Sequence, residues 1–348
     1  MKIRQLCGWI AILLVSLLVT INCNPSLKPI YTNSPNISSS KTPIRLAFTP
    51  WPPSLNWQIA EEEKIFQANQ IEVNLNYYDY LQSVQKLTAG EIDANQQTLS
   101  DTIIGLAEPA SPDLVIILST DLSYGGDAII VRSGIKSLAD LKGKKIATER
   151  GGIDHFLLLL GLKKAGINPK DIQLINLDQR ASVASFIEGQ VDAVGVYIPY
   201  SKEALKRPGS RVLFSSRDFP QAIPSHLVVH RKIIDERPED VQALVKSWFD
   251  TLKVVRQDPE KSYKSMANYI GVSVGEFKSY NSEIKILSLA DNLKSFSLSG
   301  NGGFLPVVAE EMSKFLLANG IIKTRPDLSR LFDDSFVKAY VNSVNKQR

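Results

Sequence analysis

Three aspartates, Asp101, Asp127 and Asp154, each stand where an apolar, strand-like run meets a helical pattern or a crossing of the chain. A carboxylate accepts N–H donors and holds positive charge, so these positions suit a ligand that brings either. Asp101 closes Thr98-Leu99-Ser100-Asp101, where Ser100 is a natural N-cap for the helix that follows. Asp127 follows Ser123 and Gly126. Asp154 lies in Glu149-Arg150-Gly151-Gly152-Ile153-Asp154-His155, ahead of the apolar helix marked by Leu157–Leu160. The Gly151-Gly152 pair there lets backbone N–H groups approach a ligand at a helix N-terminus. Trp51, between Pro50 and Pro52, offers a flat ring. Tyr197, just before Ile198 and Pro199, offers a ring and a donor. Only Arg150 and Arg180 accompany the three acids, whereas an inorganic anion or sulfonate wants helix N-termini with Arg, Lys or hydroxyls. The set fits a solute with N–H donors or a cationic group, such as an aminopyrimidine, better than a simple anion. The alternative for each acid is that it caps a helix and touches no ligand.

Other chemistries lack their residues. There is no Gly-x-Ser-x-Gly elbow, HExxH, phosphate loop or GxGxxG spacing. The two cysteines, Cys7 and Cys23, both fall in the first two dozen residues, which leaves the body without a thiolate ligand. Of the three histidines, His226 and His230 flank Leu227-Val228-Val229 in a strand-like run and read as structural. No metal or cofactor is therefore expected. The formal charge is +4, and Lys2 and Arg4 in the leader supply two of it, too little to imply a nucleic acid.

The leader has the three parts of a secretory signal: basic Lys2 and Arg4, the uncharged run Leu6–Ile21, then Cys23. That run is shorter than the roughly 20 residues a bilayer span needs. Cysteine at its end resembles a bacterial lipoprotein cleavage site, though Thr20 and Asn22 depart from the usual residues there. Lipidation at Cys23 is the expectation, with a soluble secreted form or an uncleaved anchor as alternatives. Residues 24–43, rich in Asn, Ser, Pro, Thr and Lys, read as a flexible tether.

From Ile44 onward strand and helix patterns alternate, which implies βαβ units and a largely parallel sheet. Strands are expected at 44–48 and 71–77, with helices at 54–68 and along Leu81, Val84 and Leu87 up to Gly90. Another strand begins near Ile92. This unit recurs. Ser83-Val84, Leu87 and Gly90-Glu91-Ile92-Asp93-Ala94 return as Ser182-Val183, Phe186 and Gly189-Gln190-Val191-Asp192-Ala193, at an offset of 99. Two copies of one α/β unit imply two similar lobes. Strands at 114–118, 127–131, 211–214 and 225–230 then carry the chain from lobe one to lobe two and back. Helices at 238–257, 259–270, 273–286 and 305–319 follow. The expected division is a leader at 1–23, the tether, lobe one from 44–124 and 225–348, and lobe two from 125–224. A double crossing of this kind permits hinge closure on a ligand. Residues 291–304 read as a loop over the cleft or a simple connection, and the tail after Thr324 is not assigned to a lobe.

Two segments carry a family resemblance: Ile135-Lys136-Ser137-Leu138-Ala139-Asp140-Leu141-Lys142-Gly143-Lys144-Lys145-Ile146, and Gly189–Ala193 followed by Tyr197-Ile198-Pro199. With Thr49-Pro50-Trp51-Pro52, Asp121-Leu122-Ser123 and Gly126-Asp127-Ala128, they resemble the nitrate, sulfonate, taurine and thiamine-precursor branch of type 2 periplasmic binding proteins. The resemblance covers roughly residues 44–290. It implies a two-lobed fold and a monomer held in the periplasm or at the cell surface. It further implies a solute-binding protein, not an enzyme, that hands a small organic or anionic solute to an ABC permease and its ATPase. The ligand contacts expected are Trp51, Thr98, Ser100, Asp101, Ser123, Gly126, Asp127, Gly151, Gly152, Asp154, His155, Tyr197 and Pro199. Two alternatives stay open. One is an enzyme on the same fold acting on a pyrimidine or quinone precursor, although the cysteine-rich motif of the pyrimidine-forming kind is missing. The other is a sensor that docks on a separate receptor.

Overall fold

The structure is a computed structural model that describes residues 42–110, 113–296 and 305–346. The leader, Cys23 and all but the last two residues of the tether lie outside the described residues. Among the described residues eleven strands form two sheets. The first holds β1 (Ile44–Phe48), β2 (Val73–Tyr77), β3 (Ala94–Thr98), β4 (Leu114–Ser123), β10 (Pro224–His230) and β11 (Ile284–Ile286), in the order β11-β4-β10-β3-β1-β2. The second holds β5 (Asp127–Val131), β6 (Lys145–Thr148), β7 (Gln173–Asn176), β8 (Ala193–Tyr197) and β9 (Arg211–Ser215), in the order β7-β6-β8-β5-β9.

The sequence repeat is a structural repeat. β1 lies parallel between β2 and β3, and β6 lies parallel between β7 and β8. Its recurring aspartates have one job in both copies. Asp93 Oδ2 accepts from the backbone N–H of Arg45 at 2.9 Å, and Asp192 Oδ2 accepts from that of Lys145 at 3.0 Å. Each carboxylate thereby ties the strand after the helix to the start of the central strand. Arg45 Nη2 (2.6 Å) and Arg132 Nε (2.7 Å) pair with the remaining oxygens. Gly90 (φ 73°) and Gly189 (φ 81°) end the preceding helices in the left-handed conformation that glycine adopts without steric cost.

β4 leads into β5 through residues 124–126, and β9 leads back into β10, which inserts antiparallel between β3 and β4. The two crossings touch. Ser123 Oγ and Ser216 Oγ are 2.8 Å apart, the Gly125 N–H donates to Ser216 Oγ at 2.7 Å, and the Ser123 N–H donates to the Ile223 carbonyl at 3.1 Å. Away from the crossings the first lobe packs on Trp57, which lies 5.1 Å from Trp248 and stacks on Phe66 at 6.1 Å. The second lobe packs its sheet on the apolar helix Ile153–Ala165.

Several expected elements differ. The helix expected over 54–68 is a 3₁₀ turn, Pro52–Leu55, then Asn56–Glu62 and Ile65–Ala68, broken where Lys64 takes a left-handed conformation (φ 56°). β4 continues to Ser123, five residues past Leu118. The helix expected over 273–286 is Val274–Asn281, and Ile284-Lys285-Ile286 is an edge strand on β4, as its period-two alternation allows. Residues 291–296 complete a helix, Leu289–Phe296, and 297–304 lie outside the described residues. The tail belongs with the first lobe: Phe332 bridges to Ile116, and Tyr340 of helix Ser335–Lys346 stacks on Phe249 at 4.8 Å.

Candidate functional site

Ligands in open α/β sheets sit beyond the carboxyl ends of strands. Here the ends of β1, β3 and β8 face one another across the two lobes. Between them is a cavity of about 20 Å³, room for about one water molecule. The first lobe and the return crossing supply Thr49, Trp51, Tyr80, Gln96, Thr98, Ile223 and Ser225; the second lobe supplies Asp127, Ile153 and Tyr197. Tyr197 is wedged between two rings of the opposite lobe, 6.3 Å from Trp51 and 5.9 Å from Tyr80, edge-on to both. Outside this wedge lies a cavity of about 380 Å³ bounded by Asp79, Tyr80, Glu149, Asp178, Gln179, Arg180, Tyr197 and Tyr200 among others. Tyr80 and Tyr197 separate the two spaces.

Buried hydrogen bonds hold several of the wall residues. Trp51 Nε1–H donates to Asp121 Oδ1 at 2.9 Å, and Gln96 Nε2 and Thr120 Oγ1 donate to Asp121 Oδ2 at 2.7 and 2.8 Å. The Tyr80 hydroxyl donates to Asp101 Oδ2 at 2.5 Å and accepts from the Thr98 N–H at 3.0 Å. Thr98, not Ser100, is the N-cap of helix Leu99–Leu106, because its Oγ1 accepts from the Asp101 N–H at 3.2 Å. Ser100 is one step inside the helix and contacts Thr98 Oγ1 at 3.0 Å. Across the cleft, Gln179 Nε2 donates to Asp154 Oδ2 at 2.9 Å, and the Asp127 N–H donates to Ser123 Oγ at 3.3 Å. Gly126 allows the lobes to meet here. A Cβ on it would lie 2.6 Å from Trp51 Cη2.

The electrostatics are one-sided. Asp101, Asp121, Asp127 and Asp154 are buried, and Glu149 is partly so. Loss of water pushes Asp101 and Asp121 up to about 6 and Asp127 and Glu149 up to about 7. Asp154 is raised well above the ordinary carboxylate range, first by burial and then by the charge of Asp127. Among the described residues none of these five forms an ion pair with lysine or arginine. Arg180, on the outer cavity, is exposed and pairs with Asp79 at 3.7 Å.

The expected contacts therefore divide. Trp51, Thr98, Asp127 and Tyr197 line the inner cavity, while Asp101, Ser123, Gly126 and Asp154 support it from behind. Gly151, Gly152 and His155 line neither cavity. His155 Nδ1 instead accepts from the Gly151 N–H at 3.1 Å, and burial pushes its pKa down to about 4. Pro199 follows a cis peptide bond and precedes helix Tyr200–Ala204; β8 has already ended at Tyr197. Helix capping does not account for the carboxyls of Asp101 and Asp154, whose oxygens meet Tyr80, Thr98 and Gln179. The sequence reading missed Tyr80, Gln96 and Gln179. Gln96 did carry a signal: Asn95-Gln96-Gln97 puts three amides in a row inside a sheet strand, where burial demands partners.

Two α/β lobes on a double crossing, with a walled cleft between them, are the type 2 periplasmic-binding-protein fold. The same fold is seen in the periplasmic aliphatic sulphonate binding protein SsuA from Escherichia coli (TM-score 0.69, 22% identity, 85% of this chain and 93% of that one). It is also seen in the desulfurization enzyme DSZB (TM-score 0.64, 18% identity, 88% and 100%). The NMT1-like family matches residues 38–271, and the chain belongs to it. Relatives by sequence include a putative binding protein of Brucella abortus, 26% identical over 279 residues (78% of this chain, 86% of the relative). A putative aliphatic sulfonates-binding protein of Escherichia coli is 28% identical over 232 residues (65% and 72%).

Proposed function

We propose that this chain is the solute-binding component of an ABC importer, closing its lobes on one small solute and presenting it to a permease and its ATPase. The observation that carries this is Tyr197 of one lobe seated between Trp51 and Tyr80 of the other, directly beside the two crossings. Rings so placed form walls that part when the lobes open and close again around a guest. The binding proteins among the sequence relatives support the same role. Sharing a fold with an enzyme does not oppose it, since function resides in the site. In this proposal the protein works as a monomer in the periplasm or at the cell surface, held there by a lipid on Cys23.

One class of solute should raise the melting temperature and contract the molecule in X-ray solution scattering. At a hundred times Kd the gain is about 2.7 kcal/mol. A panel of sulfonates, nitrate, amines and aminopyrimidines that leaves both unchanged, alongside a turnover assay that yields product, would replace the binding role with an enzymatic one. Separately, Cys23→Ser should move the protein from the membrane fraction to the soluble one. Retention of the variant on membranes would refute the lipid anchor.

A further inference from the structure

Resting on the solute-binding reading, we infer that the cleft takes a compact organic monocation, an ammonium, amidinium or protonated amino-heterocycle, seated against Asp127 and the rings of Trp51 and Tyr197, with Asp154 behind. Three independent features lead there.

The first is charge. A buried carboxylate without a cationic partner costs several kcal/mol unless something compensates it. Asp101, Asp121, Asp127 and Asp154 converge on one small space, and each feels the charge of at least one of the others or lies within its field. The arginine nearest the outer rim in this arrangement, Arg180, stands in solvent and already pairs with Asp79. A sulfonate in the inner cavity would add a fifth acid to four. A monocation supplies the charge that is missing.

The second is hydrogen bonding. At this site the buried oxygens left without a partner are acceptors. Asp154 is 1% exposed and its Oδ1 has no donor; Gln96 is 2% exposed and its Oε1 has none either. Gln96 cannot turn its amide to cure this, because its Nε2 is committed to Asp121 at 2.7 Å, and Gln179 likewise spends its Nε2 on Asp154 Oδ2. These two acceptors favour a guest that brings N–H donors of its own. An N–H-rich cation does so, whereas a sulfonate brings only acceptors.

The third is shape. Trp51, Tyr80 and Tyr197 surround the cavity with ring faces and edges, and a cation beside such rings gains cation–π attraction, strongest with tryptophan. The curated names among the relatives include sulfonate binders, so the charge of the guest separates this chain from them.

The test pairs ligands that share a skeleton and differ in charge: benzamidinium with benzenesulfonate, and phenethylammonium with 2-phenylethanesulfonate, with benzyl alcohol as the neutral member. Titration calorimetry on the whole chain at pH 7.5 should show at least one cation binding, with its sulfonate partner at least 30-fold weaker. Asp154→Asn, close in shape, should keep its cooperative melt and lose at least tenfold in affinity for that cation. Tighter binding of a sulfonate or of benzyl alcohol, or full cation affinity in Asp154→Asn, overturns the monocation and leaves solute binding standing. No heat from any of these probes also overturns the monocation. If the wider solute panel above then gives no contraction in scattering, the solute-binding reading falls separately.

Discussion

Trp51→Ala will destabilise the free protein by about 3 kcal/mol, near the low end for an aromatic truncated in a core. The indole is 9% exposed, touches Tyr197 across the cleft and donates to Asp121. Its loss opens a cavity between the lobes and strips a buried carboxyl of one donor, so packing and polar costs add. Trp51→Phe keeps most of the ring and forfeits the N–H; about 1–1.5 kcal/mol is expected for it. Gly126 makes this more than a routine truncation. A methyl group there meets Trp51 Cη2 at 2.6 Å, so Gly126→Ala alone must push the indole aside, at about 1–3 kcal/mol. In the Trp51→Ala background the same methyl has space, and the double variant should be more stable than the two single effects added. Denaturant melts of the four proteins give a coupling of about 1–2 kcal/mol if the indole and the glycine fit each other. Strict additivity would mean that Gly126 serves another purpose. Ligand affinity should fall with both Trp51→Ala and Gly126→Ala, since both move the same wall.

The parts of this fold that were legible were those that local chemistry dictates twice. Gly90 and Gly189, Asp93 and Asp192 recur because each copy must end a helix and clamp its central strand, and one solution serves both. Short segments with competing periods were harder. Ile284-Lys285-Ile286 continues a helical pattern in sequence, yet it lies beside β4 because that sheet edge offers hydrogen-bond partners. Lys64 breaks its helix without a glycine or proline to announce it. At the cleft, strand ends and helix starts located Trp51, Thr98, Asp127 and Tyr197. Gly151 and Gly152, expected by the same rule, line neither cavity, and their neighbour His155 folds back onto the turn. Tyr80 and Gln96 escaped because their importance depends on Asp101 and Asp121, which are distant in the chain and adjacent only once the sheet forms. Long-range polar pairs of this kind leave no periodic trace.

The second large effect is a pH dependence of stability with an unusual direction. Carboxyls whose pKa is raised on folding bind more protons in the folded than in the unfolded state, so their contribution weakens as pH rises through the folded pKa. The unfolded values lie near 4, so Asp101 and Asp121, near 6, lose this contribution between about pH 4 and 6 and Asp127 and Glu149, near 7, between about pH 4 and 7; Asp154, raised well above the ordinary range, acts in the same direction. Groups facing them are Tyr80 and Tyr197, raised further above 10 and uncharged in this range, and Asp79, Asp178 and the exposed Arg180 at the outer rim. Histidines oppose the trend from below. Burial lowers His226 to about 3 and His155 to about 4, so both stay neutral in the fold while they protonate in the unfolded chain below about 6.5. Their contribution is present above that pH and is lost on acidification. Carboxylates that folding depresses, among them Asp93, Asp192, Asp250 and Asp291, act only at more acid pH. The five raised carboxyls outweigh these two lowered histidines, so the unliganded protein should lose about 2 kcal/mol or more as pH rises from about 5 to about 7, with a shallower slope above that. Urea melts from pH 5 to 8.5 measure this directly, and Asp127→Asn should make the fall between pH 5 and 7 shallower by removing one raised carboxyl and relieving Asp154. A curve that is level or rises between pH 5 and 7 would show that the cleft carboxyls keep their water, and that the acid pocket imposes no cost for a ligand to relieve.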